Sequence, residues 1–467
     1  MESVRTLLAD RLFDGERLLT RPLRLEIRDG IVAAMDPLDQ EPPSGPGVLD
    51  ARGRTVLPGL INAHTHIVRA GRFAANDPLS VPQVVRNLRS CLSAGVTAVG
   101  DMGCTAGLIL TLRDHMARSP ESGPAISACG PLVTCPGGYP LDWMPSLYAL
   151  MGAAVPCPDP GAARAAVGRL VDRGVDHIKL SVMHRSYADR PIPAMPPDVA
   201  RAVADEAHRL GKKVLAHAHS TQDYQVSLDA GADALMHSSF DPLPPDMVKR
   251  VADSGVPVCP TLWVFEGCFL GIERGFDQDP RYTRLVSRGV RREWSRFRQA
   301  ARRSSGEFPP GTAAPGLSRE RAMEALAAAG ENFRKLLDAR VPMVLGNDSA
   351  YGFSLPGRPG DELDAMVRAG MAPDKALTAA TKNAAALLGF KDRGRLARGM
   401  RADILVVDGK PDETIRDVEN VTTVLSGGRP VHILPRAVAA RSAAATAAAT
   451  VAGVAKTVWW ARQDRVR

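Results

Sequence analysis

Several features that mark particular protein classes are missing from this sequence of 467 residues. No apolar stretch approaches the roughly 20 residues that cross a bilayer, because Gly, Pro or Arg interrupts each one. The N-terminus MESVRTLLADRLFDGE lacks the apolar core and cleavage site of a secretory signal. The seven cysteines are odd in number and none has CxxC spacing, which argues against a disulfide framework and a cysteine-type zinc site. We therefore expect a cytoplasmic protein without a membrane span.

Lysine is also scarce, although the chain is basic overall. Lys and Arg number 59 against 51 Asp and Glu, yet only ten of the 59 are lysines. Much of the excess lies in segment 281–303, which has nine arginines and one glutamate, and in the tail 436–467. Neither segment carries an RNA-recognition, helix-turn-helix or zinc-finger pattern, so we expect no nucleic-acid partner.

The order of apolar and helical segments indicates a barrel flanked by a smaller β domain. Strands and helices alternate over 58–394, as in a (β/α)8 TIM barrel, whose active site lies at the carboxyl ends of its strands. Short strand-like runs in 1–57 and 395–435 predict a composite β-sandwich that both ends share. An open doubly wound sheet is the alternative, but no Gly-rich phosphate loop follows the first strand. The predicted barrel strands are 56–63, 96–101, 126–129, 178–182, 214–218, 234–237, 256–262 and 343–346. The clearest helices are 197–210, 221–230, 245–254 and 319–339.

The Ala-rich basic tail 436–467 stands apart from both units. Its uncharged stretch is too short to span a bilayer. A helix that packs on a neighbouring subunit, an interfacial anchor and a disordered segment all stay open.

Histidines at the ends of the predicted strands carry the chemistry. Residues i and i+2 of a strand point to the same side, so each His-x-His pair is expected to aim into the barrel together. Neutral imidazole is the commonest zinc ligand, and Asp348 adds a carboxylate at the end of the last strand. The histidines at strand ends are His64, His66, His217, His219 and His237. The remaining ones are predicted to be surface or helix residues, with His184 as the possible exception: His115, His177, His184, His208 and His432.

Lys179 interrupts an apolar strand between Ile178 and Leu180. A bare ammonium group inside a barrel is costly unless it is paired. Lysine in such a place can lose its proton, and the neutral amine can then react with CO₂ to form a carbamate, an anionic oxygen ligand able to bridge two metal ions. The alternatives are a side chain that reaches solvent or one that pairs with an acid.

In combination these motifs resemble metal-dependent amidohydrolases, and within them the imidazolonepropionase-related branch that includes Xaa-Pro and Xaa-Arg dipeptidases. The resemblance rests on segments 58–66, 177–180, 216–219 and 346–349, and it extends over about residues 5–435. It implies the barrel with a composite β-sandwich and a hydrolase that acts on carbon–nitrogen bonds.

The resemblance also implies two divalent metal ions, with zinc expected, at the strand ends. His64, His66 and Asp348 would hold the more buried ion, and His217 and His237 the second. Lys179, carboxylated by CO₂, would bridge both. Asp348 would take the proton of a hydroxide that bridges the metals and return it to the leaving amine. The alternative for Asp348 is a plain helix N-cap.

Two loops depart from the pattern of the relatives, which usually carry Gly-Gly-His after strand three and His-Ala-Tyr after strand five. Here these segments read Gly137-Gly138-Tyr139 and His217-Ala218-His219. We expect Tyr139 and His219 to be catalytic and substrate-binding, as a pair of hydrogen-bond donors that act from exchanged sides. The alternative is that Tyr139 only packs in its loop.

Other loops are expected to build the substrate pocket. Segment 135–160, with Trp143 and Tyr148, would form a lid. Arg185 and the arginines of 281–303 are candidates for binding a substrate carboxylate, although a run of charge is more often a solvated helix face.

The expected function is hydrolysis of a small-molecule amide, with a dipeptide or N-acyl amino acid as the substrate, by a homo-oligomer. The alternative is a mononuclear cyclic-amide hydrolase or an aminohydrolase (deaminase) that acts on a small heterocycle. An inactive scaffold is disfavoured, because every expected metal ligand is present. Lys179 discriminates between the first two, since mononuclear members of the superfamily generally lack a bridging lysine on strand four.

Overall fold

The computed structural model describes residues 3–73, 79–142, 152–303, 316–349, 351–431 and 436–464. Its strands are β1 (Thr6–Ala9), β2 (Leu12–Phe13), β3 (Leu18–Leu19), β4 (Leu23–Arg28), β5 (Ile31–Pro37), β6 (Val48–Asp50), β7 (Thr55–Pro58), β8 (Leu60–Thr65), β9 (Val96–Asp101), β10 (Ala125–Ala128), β11 (Leu132–Thr134), β12 (Ala154–Pro156), β13 (Ile178–Ser181), β14 (Val214–His217), β15 (Ala234–Met236), β16 (Val258–Cys259), β17 (Ile404–Val407), β18 (Val421–Ser426) and β19 (Arg429–Pro430). Its α-helices are α1 (Val81–Ser93), α2 (Ala106–Arg118), α3 (Pro160–Asp172), α4 (Pro197–Arg209), α5 (Thr221–Ala230), α6 (Pro245–Ser254), α7 (Leu262–Leu270), α8 (Pro280–Thr283), α9 (Arg288–Arg303), α10 (Arg319–Asp338), α11 (Pro359–Arg368), α12 (Pro373–Thr378), α13 (Ala384–Leu388) and α14 (Arg436–Asp464). The predicted lid residues Trp143 and Tyr148, and also His432, lie outside the described residues.

The two ends of the chain form one β-sandwich. Strands β5, β4, β1 and β6 make a four-stranded sheet, and β19, β18, β17, β7, β2 and β3 make a six-stranded sheet, each in that order. Strand β4 alternates buried Leu23, Leu25 and Ile27 with more exposed Arg24 and Glu26, because only one of its faces meets the sandwich core. The antiparallel pair of β7 and β17 joins the N-terminal to the C-terminal segment. The predicted composite sandwich is confirmed.

Between these ends, parallel strands alternate with helices. Strands β10, β9 and β8 form one sheet, and β12, β11, β13, β14, β15 and β16 form another. The segment after α10 links the two sheets, because Val344 N donates to β16 (3.0 Å) and Leu345 O accepts from β8 (2.8 Å). On the other side, Asp176 N donates to Ala128 O of β10 just before β13 begins. The fold is the predicted (β/α)8 TIM barrel, and the carboxyl ends of its strands therefore lie together.

Local sequence signals explain several element boundaries. Ser220 accepts the N–H group of Asp223 at the start of α5, and Gly231 ends that helix with a φ of 91°. Gly255 ends α6 in the same left-handed conformation. Strands β13, β14 and β15 are buried along their whole length, as expected for parallel strands whose two faces are both covered.

The predicted first barrel strand, 56–63, is in fact two strands. β7 belongs to the sandwich and β8 belongs to the barrel. The division falls at Pro58-Gly59, where proline supplies no N–H group and Gly59 N donates instead to Asp403 O. β7 therefore crosses the predicted boundary between 57 and 58, and the domain limits 1–57, 58–394 and 395–435 stay a prediction.

Two later strands are shorter than predicted. The strand predicted at 256–262 is reduced to β16, because helix α7 already begins at Leu262. At this helix start the Glu362 carboxylate accepts the backbone N–H groups of Leu262 (2.9 Å) and Trp263 (2.6 Å). The segment predicted at 343–346 forms a single parallel bridge, between Met343 and Val258. The short strands β11 and β12 escaped prediction.

The tail forms helix α14, which packs against α2 of the same chain. Thr105 and Thr457 share a hydrogen bond of 3.1 Å between their hydroxyl groups, and the Ser442 hydroxyl donates to that of Ser122 (2.8 Å). A Cβ atom on Gly107 would clash with the backbone of Thr457, so glycine permits this close approach. The helix rules out a disordered segment for residues 436–464, while packing on a neighbouring subunit and an interfacial anchor stay predictions. Among the helices that the structure describes, none is both long enough and apolar enough to cross a membrane.

Candidate active site

The carboxyl ends of β8 and of the segment 343–345 bring a carboxylate against two imidazoles. Asp348 Oδ1 lies 3.3 Å from His64 Nε2 and 3.1 Å from His66 Nε2. Asp348 Oδ2 lies 3.9 Å from His237 Nδ1. Asp348 and His237 both have a positive φ, of 46° and 86°. Residues other than glycine with such a strained backbone tend to cluster at active sites.

A second group of imidazoles follows β14 and β15. His237 Nε2 lies 2.9 Å from His217 Nδ1, and one ring nitrogen from each of His217, His219 and His237 lies within 4.8 Å of the others. One donor atom from each of His64, His237 and Asp348 meets the same limit. His237 belongs to both groups, so the two form one continuous cluster.

The cluster is almost completely buried. Burial lowers the pKa of His64, His217 and His237 well below the usual value for histidine, and that of His219 to about 3. The imidazoles are therefore neutral, which is the form that binds metal ions. The exposed fractions are 1% for His64, 3% for His217, 4% for His219 and 0% for His237.

Lys179 is buried in the same region, with 1% of its surface exposed. Its Nζ atom has no hydrogen-bond partner among the described residues. Burial lowers the pKa of its ammonium group to about 8. Neither alternative for this residue is seen in the described part of the chain, since the side chain neither reaches solvent nor pairs with an acid. A buried amine that loses its proton readily fits the carbamate expected here.

Several other polar atoms of the cluster also lack partners among the described residues. They are His64 Nδ1, His217 Nε2 and both ring nitrogens of His219. An unsatisfied buried polar group costs about 1–3 kcal/mol, and neutral imidazoles with a carboxylate are a typical set of zinc ligands. These residues therefore fit a metal centre.

Neighbouring groups orient two of the histidines. His237 Nδ1 lies 2.8 Å from the Thr261 hydroxyl, and His66 Nδ1 lies 3.3 Å from the Gly103 carbonyl. Partners of this kind fix the ring orientation of metal-binding histidines. Thr261 was not predicted from the sequence, because nothing in its local pattern links it to a histidine 24 residues earlier.

The two predicted hydrogen-bond donors reach the cluster in different ways. The Tyr139 ring stacks on His217, with 4.2 Å between ring centroids, and its hydroxyl accepts a hydrogen bond from Tyr187 (3.3 Å). His219 instead lies between the rings of His237 (4.3 Å) and Phe240 (4.6 Å), stacked on both. Tyr139 therefore contacts His217 from outside the cluster, whereas His219 is held against the other imidazoles, and the catalytic and substrate-binding roles of both stay predictions.

Three aromatic residues that were not predicted from the sequence line the cluster on the side of His219. The Tyr187 ring lies 5.1 Å from His219, and the Phe265 ring lies 5.3 Å from it. Phe240 and Phe265 pack edge to face at 4.6 Å. These residues come from three separate loops or helices, so no local sequence pattern predicts their position at the cluster.

The predicted carboxylate-binding arginines lie elsewhere. Arg185 is exposed, with its Nε atom 2.6 Å from Asp189 Oδ1. The arginines of α9 whose burial is described are mostly exposed, and Arg298 pairs with Asp277 (2.9 Å). Arg69, three residues after His66, is by contrast buried, and its guanidinium lies 4.3 Å from the centre of the Tyr351 ring. Its charge acts to lower the pKa of Tyr139, which burial raises.

One of the remaining histidines differs from the prediction. His177 is neither on the surface nor in a helix. It is buried just before β13, where its Nδ1 atom lies 3.2 Å from the Ser127 hydroxyl. His115 is in helix α2 as expected, but α14 covers it, and its Nε2 atom lies 3.3 Å from the Thr446 hydroxyl. His184 lies 2.7 Å from Asp223, outside the cluster.

Comparison with known proteins accounts for this arrangement. The model of the amidohydrolase family matches residues 55–431. The chain belongs to the amidohydrolase family. It is 25% identical over 409 residues to an imidazolonepropionase of Salinispora arenicola, a match that covers 85% of this chain and 88% of that one. It is also 25% identical over 410 residues to the ochratoxinase of Aspergillus niger, which covers 80% and 75%.

Solved structures agree with the fold. A Xaa-Pro dipeptidase with methionine bound in its active site superposes with a TM-score of 0.73, at 22% identity, over 91% of this amidohydrolase and 98% of that chain. The resemblance seen in the sequence is confirmed. This amidohydrolase is a hydrolase of carbon–nitrogen bonds.

Proposed function

We propose that this amidohydrolase cleaves the amide bond of a dipeptide or an N-acyl amino acid at a binuclear metal centre. The observation that carries the proposal is Lys179, a buried lysine without a partner among the described residues, beside the imidazole cluster. Two divalent ions, with zinc expected, would be held by His64, His66, Lys179, His217, His237 and Asp348. Lys179 would act as a carbamate formed with CO₂, which releases one proton from the amine.

The two ions, when bound, supply Lewis acidity that activates water and polarises the amide carbonyl. Asp348 takes the proton of the attacking water and passes it to the leaving amine. Its position supports this role, because its Oδ1 atom lies close to the Nε2 atoms of His64 and His66 (3.3 and 3.1 Å) without a hydrogen-bond partner among the described residues, and its backbone has a positive φ. The Tyr139 hydroxyl accepts a hydrogen bond from Tyr187, and in the proposed reaction it donates its own proton to the developing oxyanion.

The surroundings of the cluster support an amino-acid amide as the substrate. Tyr187, Phe240 and Phe265 form an aromatic wall that suits an apolar side chain or acyl group. Arg69 is a buried cation whose charge acts on Tyr139, and it replaces the exposed Arg185 as the candidate partner of a substrate carboxylate. The methionine bound by the similar dipeptidase agrees with a product of this class. A homo-oligomer in the cytoplasm stays a prediction.

A second candidate is a mononuclear cyclic-amide hydrolase or deaminase. The similarity to an imidazolonepropionase favours it, and so does the compact group of three imidazoles after β14 and β15, which needs no lysine. The two candidates differ in what Lys179 does. In the mononuclear enzyme, its replacement would leave the metal content unchanged.

The test is the metal content of the protein after reconstitution with Zn²⁺ in bicarbonate buffer. The binuclear centre predicts two ions per chain in the wild type and one or fewer in Lys179→Ala. Lys213→Ala is a matched control, because the Nζ atom of Lys213 binds backbone carbonyl groups on the barrel exterior (Ala386 O, 2.7 Å). One ion per chain in both the wild type and Lys179→Ala would overturn the binuclear centre and favour the second candidate.

Activity is then tested by mass spectrometry on a set of dipeptides and N-acyl amino acids. Release of a free amino acid, abolished in Asp348→Asn, is the expected result. Cleavage of cyclic amides alone, or release of ammonia from a heterocycle, would contradict the proposed substrate class.

A further inference from the structure

His219 is the residue whose position departs furthest from its expected role. As a hydrogen-bond donor to substrate, it would present a ring nitrogen away from the other histidines. Its ring instead stacks on His237 at 4.3 Å and lies 4.7 Å from His217, almost perpendicular to it. One of its nitrogens lies within 4.8 Å of a nitrogen of both neighbours.

The aromatic residues around His219 hold the ring in this position. Phe240 covers one face at 4.6 Å, nearly parallel, while Phe265 and Tyr187 meet the ring at steep angles. The backbone N–H group of His219 donates to Asp223 (3.0 Å), which fixes the main chain after β14. The imidazole is therefore oriented before any ligand binds.

His219 is only 4% exposed, and neither ring nitrogen makes a hydrogen bond of standard geometry with the described residues, although the backbone of Ser238 acts on the ring and raises its pKa against the effect of burial. His217 Nε2 also lacks a hydrogen-bond partner among the described residues. By contrast, His115 and His177, two other buried histidines, each contact a hydroxyl group through one nitrogen, and of their buried ring nitrogens only His177 Nε2 lacks a partner in the described part of the chain. Unpaired nitrogens on adjacent, fixed imidazoles are the arrangement expected where a cation completes the site.

We propose that His219 is a metal ligand, which binds the second ion together with His217 and His237. The inference rests on the proposed metal centre, but not on its substrate. The second ion then has three imidazole ligands rather than two, so it is retained even when Lys179 carries no carbamate. Tyr139 remains as the hydrogen-bond donor to substrate on this side.

The first test counts ligands in the wild type. With two equivalents of Zn²⁺ in bicarbonate buffer, so that both sites are filled, X-ray absorption at the zinc edge is expected to show five imidazole ligands for every two zinc ions. Four imidazoles for every two zinc ions would overturn the proposal. The measurement needs no variant, so it stands even where a substitution at His219 prevents folding.

The second test measures metal retention against a chelator in His219→Ala and His219→Gln. Changes in groups that only orient ligands typically cost about 10–100-fold in metal affinity, and loss of a ligand is expected to cost at least about 100-fold. Tyr139→Phe and His115→Ala should retain zinc as the wild type does. The Co²⁺ absorption spectrum should change in the His219 variants and not in these two controls.

The outcomes separate this inference from the proposed function. If His219→Ala keeps wild-type metal affinity and an unchanged Co²⁺ spectrum while amide turnover falls, His219 is a substrate donor and the inference is wrong. If the wild type cleaves no amide but His219→Ala still loses zinc, the substrate proposal fails and the ligand assignment stands.

Discussion

The Nδ1 atom of His237 lies 2.8 Å from the hydroxyl oxygen of Thr261. Both residues have left-handed backbone conformations, with φ of 86° and 49°. The hydroxyl can accept the Nδ1 proton, which leaves Nε2, on the side of His217, as the nitrogen that binds a metal ion. Thr261 thus determines which ring nitrogen of His237 is available to a metal ion in the cluster.

Replacing this hydroxyl should weaken metal binding while the fold stays intact. Thr261→Val has nearly the same volume, and we expect its zinc affinity to fall about 10–100-fold, as for other groups that orient ligands. Chelator competition measures the change. Thr261→Ser retains a hydroxyl and should behave as the wild type. Equal affinities for valine and threonine at this position would show that the contact has no orienting role.

Glu362 should make stability depend on pH. Burial raises the pKa of its carboxyl group from 4.5 to about 8 in the folded chain, so between these values the folded state holds a proton that the unfolded state has lost. The free energy of unfolding then falls as the pH rises from about 4.5 to about 8. Urea denaturation of wild type and Glu362→Gln at pH 6 and pH 9 measures this, and the wild type should lose stability relative to the variant. A constant difference would show that the two N–H groups of α7 keep the carboxylate charged.

The contact between α2 and α14 should tolerate no side chain at Gly107. Gly107→Ala places a Cβ atom against the backbone of Thr457 and should reduce the free energy of unfolding by about 1–3 kcal/mol. Gly168→Ala is the matched control in helix α3, where a Cβ atom meets nothing within 4 Å. It should stabilise the protein by about 0.5–1 kcal/mol, because alanine favours the helix. Equal effects in urea denaturation would contradict the close packing of α14.

Arg69 and Arg185 should differ in their effect on substrate binding. A charged hydrogen bond contributes about 1.5–3 kcal/mol, so Arg69→Met should raise KM for an amide with a free carboxylate about 10–100-fold. Arg185→Met should leave KM unchanged, because Arg185 is exposed and bound by Asp189. The corresponding substrate with its carboxylate amidated serves as a control, since Arg69→Met should not alter its KM. A larger rise in KM for Arg185→Met than for Arg69→Met would instead assign the binding of the substrate carboxylate to Arg185.

The histidines of the cluster could be found from the sequence because each lies in the last residues of a strand or directly after its end. A strand repeats every two residues, so His64 and His66 had to share one side, as did His217 and His219. The ends of helix α5 could also be predicted from the local sequence, because Ser220 is a typical N-cap residue and Gly231 a typical C-cap residue. These features depend on neighbours in the chain.

The rest depends on partners that are distant in the chain. Thr261, Phe240 and Phe265 meet the histidines only because several loops converge at one end of the barrel. The role expected of His219 was inferred from its place in a motif, whereas its orientation comes from the rings stacked on it. In the same way, nothing local in the tail shows that α14 covers His115.

The pairing of β7 with β17 has a consequence for biosynthesis. Only Gly59 separates β7 from β8, the strand that carries His64. During translation β7 emerges from the ribosome early, whereas its partner strand β17 emerges only when most of the chain has been made. The first barrel strand therefore lies next to an anchor that is completed only late in translation, and a polypeptide that ends before β17 lacks this half of the anchor.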